Sequence, residues 1–120
     1  MYLHVGMDKT GTSAIQWMLD RNRDYFLKGS NYYYPKTGLW KDCSHHPFAF
    51  SIVGMFGYSK EHLEHLMSDL KNELSGKDRV ILSSECLFKS TLKEDFNLFW
   101  ESLNDRFHTI KIFGKGRIFF

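Results

Sequence analysis

The sequence predicts an α/β domain of three layers, a short parallel sheet of about three strands flanked by helices. Three observations predict it. Apolar strand-like runs stand at residues 2–6, 79–85 and 109–113, far enough apart for each to be joined to the next by a crossover. The segments between them repeat apolar residues at helical spacing. Two of the three strand exits, Gly6 to Ser13 and Ser83 to Glu85, run out into glycine and small polar residues. In a parallel sheet that is the end where ligands bind.

Taken in order, Tyr2 to Gly6 is a short, mostly apolar strand ending at a glycine. A helix is expected from about Gly11, with the stripe Ile15, Met18, Leu19, Asn22 and Phe26, and with Gly29 as its left-handed cap. Residues 30–47, which hold Pro35 and Gly38, read as irregular, and residues 47–57 as a short buried helix. Ser59 is an N-cap and Glu61 an acid in the first turn of the next helix. Its stripe is Leu63, Leu66, Met67, Leu70 and Leu74, and Gly76 closes it. Residues 79–85 are a buried strand. Thr91 and Glu94 form a capping-box pair for a helix with the stripe Phe96, Phe99, Trp100, Leu103 and Phe107. Residues 109–113 alternate as the third strand, and no repeat or linker divides the chain. One domain over residues 1–120 is expected, with 114–120 as an atypical tail.

At 120 residues, 42% hydrophobic and 17% aromatic, the chain has enough apolar mass for one core without staples. A net charge of +2, from 16 Lys and Arg against 14 Asp and Glu, argues against a nucleic-acid surface, so an anion would be met at a local site. No apolar run approaches the ~18 residues of a membrane span, and the opening residues are too short a run for a signal peptide. A cytoplasmic protein is expected. Cys43 and Cys86 have no C-x-x-C partner and read as reduced thiols. His62 and His65 lie beside Glu61 and Glu64, opposite the leucine stripe, and read as a solvated face rather than a metal site.

The first strand exit carries the chemistry. Four residues separate Gly6 from Gly11, the interval of a Walker A loop. Thr12 stands where that loop has its lysine, and Lys9 lies inside the loop instead. Glycines let the backbone wrap an anion closely, converging N–H groups and the following helix N-terminus attract it, and Lys9 adds a mobile positive charge. Thr10, Thr12 and Ser13 add hydroxyl donors. A tight strand-to-helix turn with a capping threonine is the alternative.

The stretch HVGMDKTGTSAIQ at residues 4–16 resembles the 5′-phosphosulfate-binding loop of the sulfotransferase family, which has the form K-T-G-T-[ST] after a strand. Lys9, Thr10, Gly11, Thr12 and Ser13 match it in order, with Gln16 and Leu19 further along. Asn22–Arg23, the G-x-x-Y-Y-Y-P of residues 29–35, His45–His46 and the ILSSE of residues 81–85 resemble bacterial carbohydrate-sulfotransferase members. The resemblance implies a P-loop-type fold and 3′-phosphoadenosine 5′-phosphosulfate (PAPS) as donor, with adenosine 3′,5′-bisphosphate as product. The acceptor would be a hydroxyl compound, a carbohydrate among them, and no metal would be needed. Lys9 would stabilise charge on the bridging oxygen as a catalytic residue. Thr10, Gly11, Thr12 and Ser13 would hold the 5′-phosphate, and Ser84 would line the site. His46 and Glu85 are the candidates for general base, with His45 behind them.

After Phe113 the resemblance stops. Family members continue into an arginine and a later serine that hold the 3′-phosphate, and Arg117 is out of register for that role. The expectation is therefore the N-terminal portion of the family fold, with little sulfuryl transfer of its own and a tendency to self-associate. Two alternatives remain: a non-catalytic anion-binding fragment, and a small-molecule kinase using ATP, against which the missing Walker lysine counts.

Overall fold

The computed structural model describes residues 1–4, 12–84, 86–87, 95–106, 111–114 and 117–118. It is an α/β arrangement built on a largely parallel sheet. The strands are β1 (Tyr2–His4), β2 (Tyr32–Tyr33), β3 (Arg79–Ser83), β4 (Lys111–Gly114) and β5 (Arg117–Ile118), in the order β2-β3-β1-β4-β5. The three inner strands are the three that the sequence predicts. They pair in parallel, with Tyr2 opposite Ile81 on one side and Lys111 on the other. Both edge strands depart from expectation. Tyr32–Tyr33 adds a parallel strand inside a segment read as irregular, and Arg117–Ile118 folds part of the tail back antiparallel on Phe113–Gly114. Two-residue strands are too short to show a period, which is why the pattern missed them.

The helices are α1 (Thr12–Arg21), α2 (Arg23–Ser30), α3 (His46–Val53), α4 (Lys60–Glu73) and α5 (Asp95–Arg106). The single helix expected from Gly11 is broken in two at Asn22, and its left-handed cap is Asn31 (φ 62°) rather than Gly29. Its stripe is also turned: Ile15 and Met18 are exposed, while Gln16 and Leu19 are buried. All of α3 but Val53 is buried, the short buried helix that residues 47–57 suggested. Ser59 caps α4, and the reciprocal partner is His62, whose Nδ1 accepts the Ser59 N–H at 3.1 Å. The expected capping pair Thr91 and Glu94 lies outside the described residues, as does Phe107.

Val80 and Leu82 alternate to one face of β3 and are fully buried. Against them sit Phe48, Ala49 and Ile52 of α3, Leu63 and Leu70 of α4 with Leu74 just beyond it, Leu87, and Phe99 and Leu103 of α5. This is the core that fixes α3 over the carboxyl end of β3. Phe48 is roofed by the turn at Gly38, whose φ of +71° is left-handed. A Cβ there would stand 2.5 Å from the Phe48 ring. Gly38→Ala is expected to cost about 2–4 kcal/mol in a urea melt, from left-handed strain plus crowding.

The same turn is pinned from α4. The Glu73 carboxylate accepts the Lys36 N–H at 2.7 Å, the Thr37 N–H at 2.8 Å and the Tyr33 hydroxyl. Burial alone would raise the Glu73 carboxyl, but these hydrogen bonds outweigh it and hold the group below its usual range. No helix among the described residues is long and apolar enough to cross a membrane.

Candidate functional site

The carboxyl end of β3 gathers the polar groups. Ser83 and Ser84 are fully buried there, beside His45 and His46 at the start of α3 and Gln16 of α1. Gln16 donates its amide Nε2–H to Ser83 Oγ at 3.0 Å, so α1 is tied to the β3 exit. β1 ends level with it, His4 opposite Ser83. The chain thus leaves β1 and enters α1 beside the β3 exit, and the segment joining them is residues 5–11.

His45 is a strut. Its backbone N–H donates to Ser83 O at 2.7 Å, and its ring Nδ1 accepts the Ser83 N–H at 3.1 Å. An acceptor at Nδ1 puts the proton on Nε2, which donates to Pro35 O at 2.8 Å. Complete burial pushes the imidazole down to about 4, so the ring is neutral at pH 7. With both nitrogens committed to backbone, His45 has no lone pair to offer a substrate.

His46 is placed differently. It is the first residue of α3 and 6% exposed. Its Nδ1 lies 2.7 Å from Ser84 Oγ, and its Nε2 lies 3.3 Å from Asp42 Oδ2. Asp42 is held in turn by Ser44, whose N–H at 3.1 Å and hydroxyl both donate to Oδ1. A carboxylate accepting the N–H two residues on is the Asx-turn geometry, and it aims the second oxygen at the histidine. Ser84, His46 and Asp42 therefore stand in one row, with a hydrogen bond between the first two and an ion-pair contact between the last two.

Around this row lie the other pieces that the sequence singled out. Arg23 donates Nε–H to Tyr34 O at 2.6 Å and is ion-paired with Asp20 at 2.8 Å. Tyr34 is buried, donates its hydroxyl to Cys43 O at 2.6 Å and holds its ring 4.6 Å from that of His45, tilted by 59°. Arg23, Tyr34, Pro35, His45, His46, Ser83 and Ser84, scattered in sequence, are thus joined in one chain of contacts. Cys43, at φ 66°, donates its thiol to Asp20 at 3.4 Å. Burial first, and then that hydrogen bond, raise the thiol, so it is no thiolate. Beside His46, whose ring is 5.7 Å from Phe50, stands an aromatic wall of Trp40, Phe50, Phe56 and Tyr58. Phe56 is 69% exposed on it.

Of the residues predicted for the site, His46 and Ser84 are brought into contact. Thr12 and Ser13 are the first two residues of α1, their side chains outside the described residues. Lys9, Thr10, Gly11 and Glu85 also lie outside the described residues. Asp42 and Ser44 were missed. An acidic residue two before a serine in a turn-rich stretch was the available signal. His62 and His65 are exposed, as expected of a solvated face. Among the described residues no cluster of three or more potential metal ligands occurs. No family model matches the chain, and no curated protein or solved structure is similar enough to count as a match.

Proposed function

We propose that the chain is a sulfotransferase-like domain of three-layer, P-loop type that binds the phosphosulfate end of PAPS in the loop of residues 5–13. The observation that carries this is where the two elements flanking that loop lie: β1 ends at His4, opposite Ser83, and Gln16 of α1 donates to Ser83 Oγ at the β3 exit. From β1 the chain moves to β2 on one side, and from β3 it moves to β4 on the other. Right-handed crossovers in opposite directions lie on opposite faces of a sheet, so a crevice opens between β1 and β3. The same argument puts α1 and α2 on one face and α3 to α5 on the other, which is the three-layer arrangement.

An anion suits that crevice. α1 has no acidic residue in its first turn, so nothing there offsets the positive end of the helix dipole. Lys9 would contact the bridging oxygen, where charge builds as the sulfuryl group leaves, and Thr10 to Ser13 would hold the 5′-phosphate. His46 stands at the β3 exit as the base for an acceptor hydroxyl, with Glu85 next in the chain after Ser84. The aromatic wall beside His46 suits an acceptor with an apolar ring face, such as a carbohydrate. Solution in the cytoplasm and self-association through exposed Ile15, Trp17 and Met18 accompany this reading.

Calorimetry with adenosine 3′,5′-bisphosphate and with ATP tests it. The bisphosphate should bind, and Lys9→Ala should weaken it by about 1.5–3 kcal/mol, the scale of a charge-assisted hydrogen bond. Preference for ATP would favour a kinase. Inorganic phosphate bound as well as either nucleotide would favour a plain anion site, and equal affinity of variant and parent would remove Lys9 from the site.

A further inference from the structure

The row Ser84–His46–Asp42 specifies which nitrogen of His46 is the base. Asp42 Oδ1 already accepts two donors from Ser44, so the carboxylate is oriented before the histidine meets it. Its free oxygen, Oδ2, faces Nε2 at 3.3 Å. A carboxylate only accepts, so of the two neutral forms the one with its proton on Nε2 suits this contact. Nδ1 is then the unprotonated nitrogen, and the group in front of it is the Ser84 hydroxyl at 2.7 Å. Ser84 is fully buried, so its proton is directed along that contact rather than to bulk water.

We propose that Asp42 is a positioning residue that locks His46 in the Nε2–H form, and that protons reach the base through Ser84 Oγ rather than directly from an acceptor. Under the function proposed above, on which this rests for its substrate, the balance is simple. The acceptor hydroxyl gives its proton to Ser84 Oγ as its oxygen bonds to sulfur. The Ser84 proton passes to His46 Nδ1, and the bond from sulfur to the bridging oxygen breaks. Asp42 meets the imidazolium that forms. This reassigns Ser84 from lining the nucleotide to carrying the proton.

The orientation of Asp42 makes a sharp test. In Asp42→Asn the side-chain oxygen should stay on the two Ser44 donors, which turns the NH2 group toward Nε2. That nitrogen must then accept, and the proton moves to Nδ1. Nitrogen-15 spectra of histidine-labelled protein at alkaline pH read this directly. Wild type should show His46 with a protonated Nε2 and an unprotonated Nδ1 correlated with a slowly exchanging Ser84 hydroxyl proton. Asp42→Asn should exchange the two nitrogen signals. Ser84→Ala should keep the Nε2–H form and lose only the hydroxyl correlation. A wild-type ring protonated at Nδ1, or a tautomer that changes in Ser84→Ala and not in Asp42→Asn, would overturn the proposal. No nucleotide enters these measurements, so failure to bind the bisphosphate would leave them intact, and the reverse.

Discussion

Between pH 7 and pH 4 the fold is expected to lose about 3 kcal/mol of stability through His45 alone. An unfolded histidine titrates near 6.5, whereas burial holds this one at about 4 in the folded chain. Between those values the unfolded state binds the extra proton and the folded state does not, so stability falls with falling pH. The full contribution is present above 6.5, and the loss levels off below about 4. A shift of about 2.5 units at ~1.4 kcal/mol each gives the magnitude. Charging the ring would also set a proton on Nδ1 against the Ser83 N–H and break the tie between β3 and α3. Urea melts at a series of pH values would measure it. His45→Asn keeps an acceptor near the Nδ1 position, and should start lower at pH 7 but show a flat profile, meeting wild type near pH 4. An unchanged slope in that variant would place the acid sensitivity elsewhere. The depressed carboxyls of Glu73 and Asp20 act in a lower window that overlaps the foot of this one. Their stability is present above the usual carboxylate values of 4.5 and 3.8 and is lost below them.

Truncating Phe48 should cost as much or more. The ring is fully buried, 5.7 Å from that of Phe99 and 6.3 Å from that of His45, and the Gly38 turn covers it. Phe48→Ala is expected to cost about 3–5 kcal/mol in the same melts, and Phe48→Leu less than about 1.5. Gly38→Ala should lose part of its penalty in the Phe48→Ala background, because the cavity admits the methyl while the left-handed strain remains. A cycle of these two changes separates the two components. Full additivity would show that the methyl never met the ring.

The sequence disclosed the parts of this fold that obey a period. Tyr2–His4, Arg79–Ser83 and Lys111–Gly114 fall in apolar runs because they are the inner strands of the sheet, and Leu63, Leu70 and Leu74 repeat because α4 covers the core. The N-terminal helix was misread for a physical reason. Its buried face contains Gln16, which is inside because its amide reaches Ser83, while Ile15 and Met18 face out. Apolarity is a poor guide where a polar site replaces core. At Asn22, where the helix breaks, the side chain donates to Met18 O at 2.8 Å, and no apolar spacing records that. The site was legible as residue types: His46 and Ser84 were both named, but not their contact. For Asp42 the spacing to Ser44 signals a turn, but not that the turn aims its second oxygen at His46.

The order of the sheet also governs how the chain must assemble. Its central strand, Tyr2–His4, is synthesised about 80 residues before one neighbour and about 110 before the other. At roughly 5–20 residues per second, β1 waits about 5–20 s before Lys111–Gly114 exists to close its second edge. Nothing local can substitute, since parallel pairs have no hairpin to start from. β1 is thus without its second partner, and must be kept from other chains, until residues 111–114 have been made.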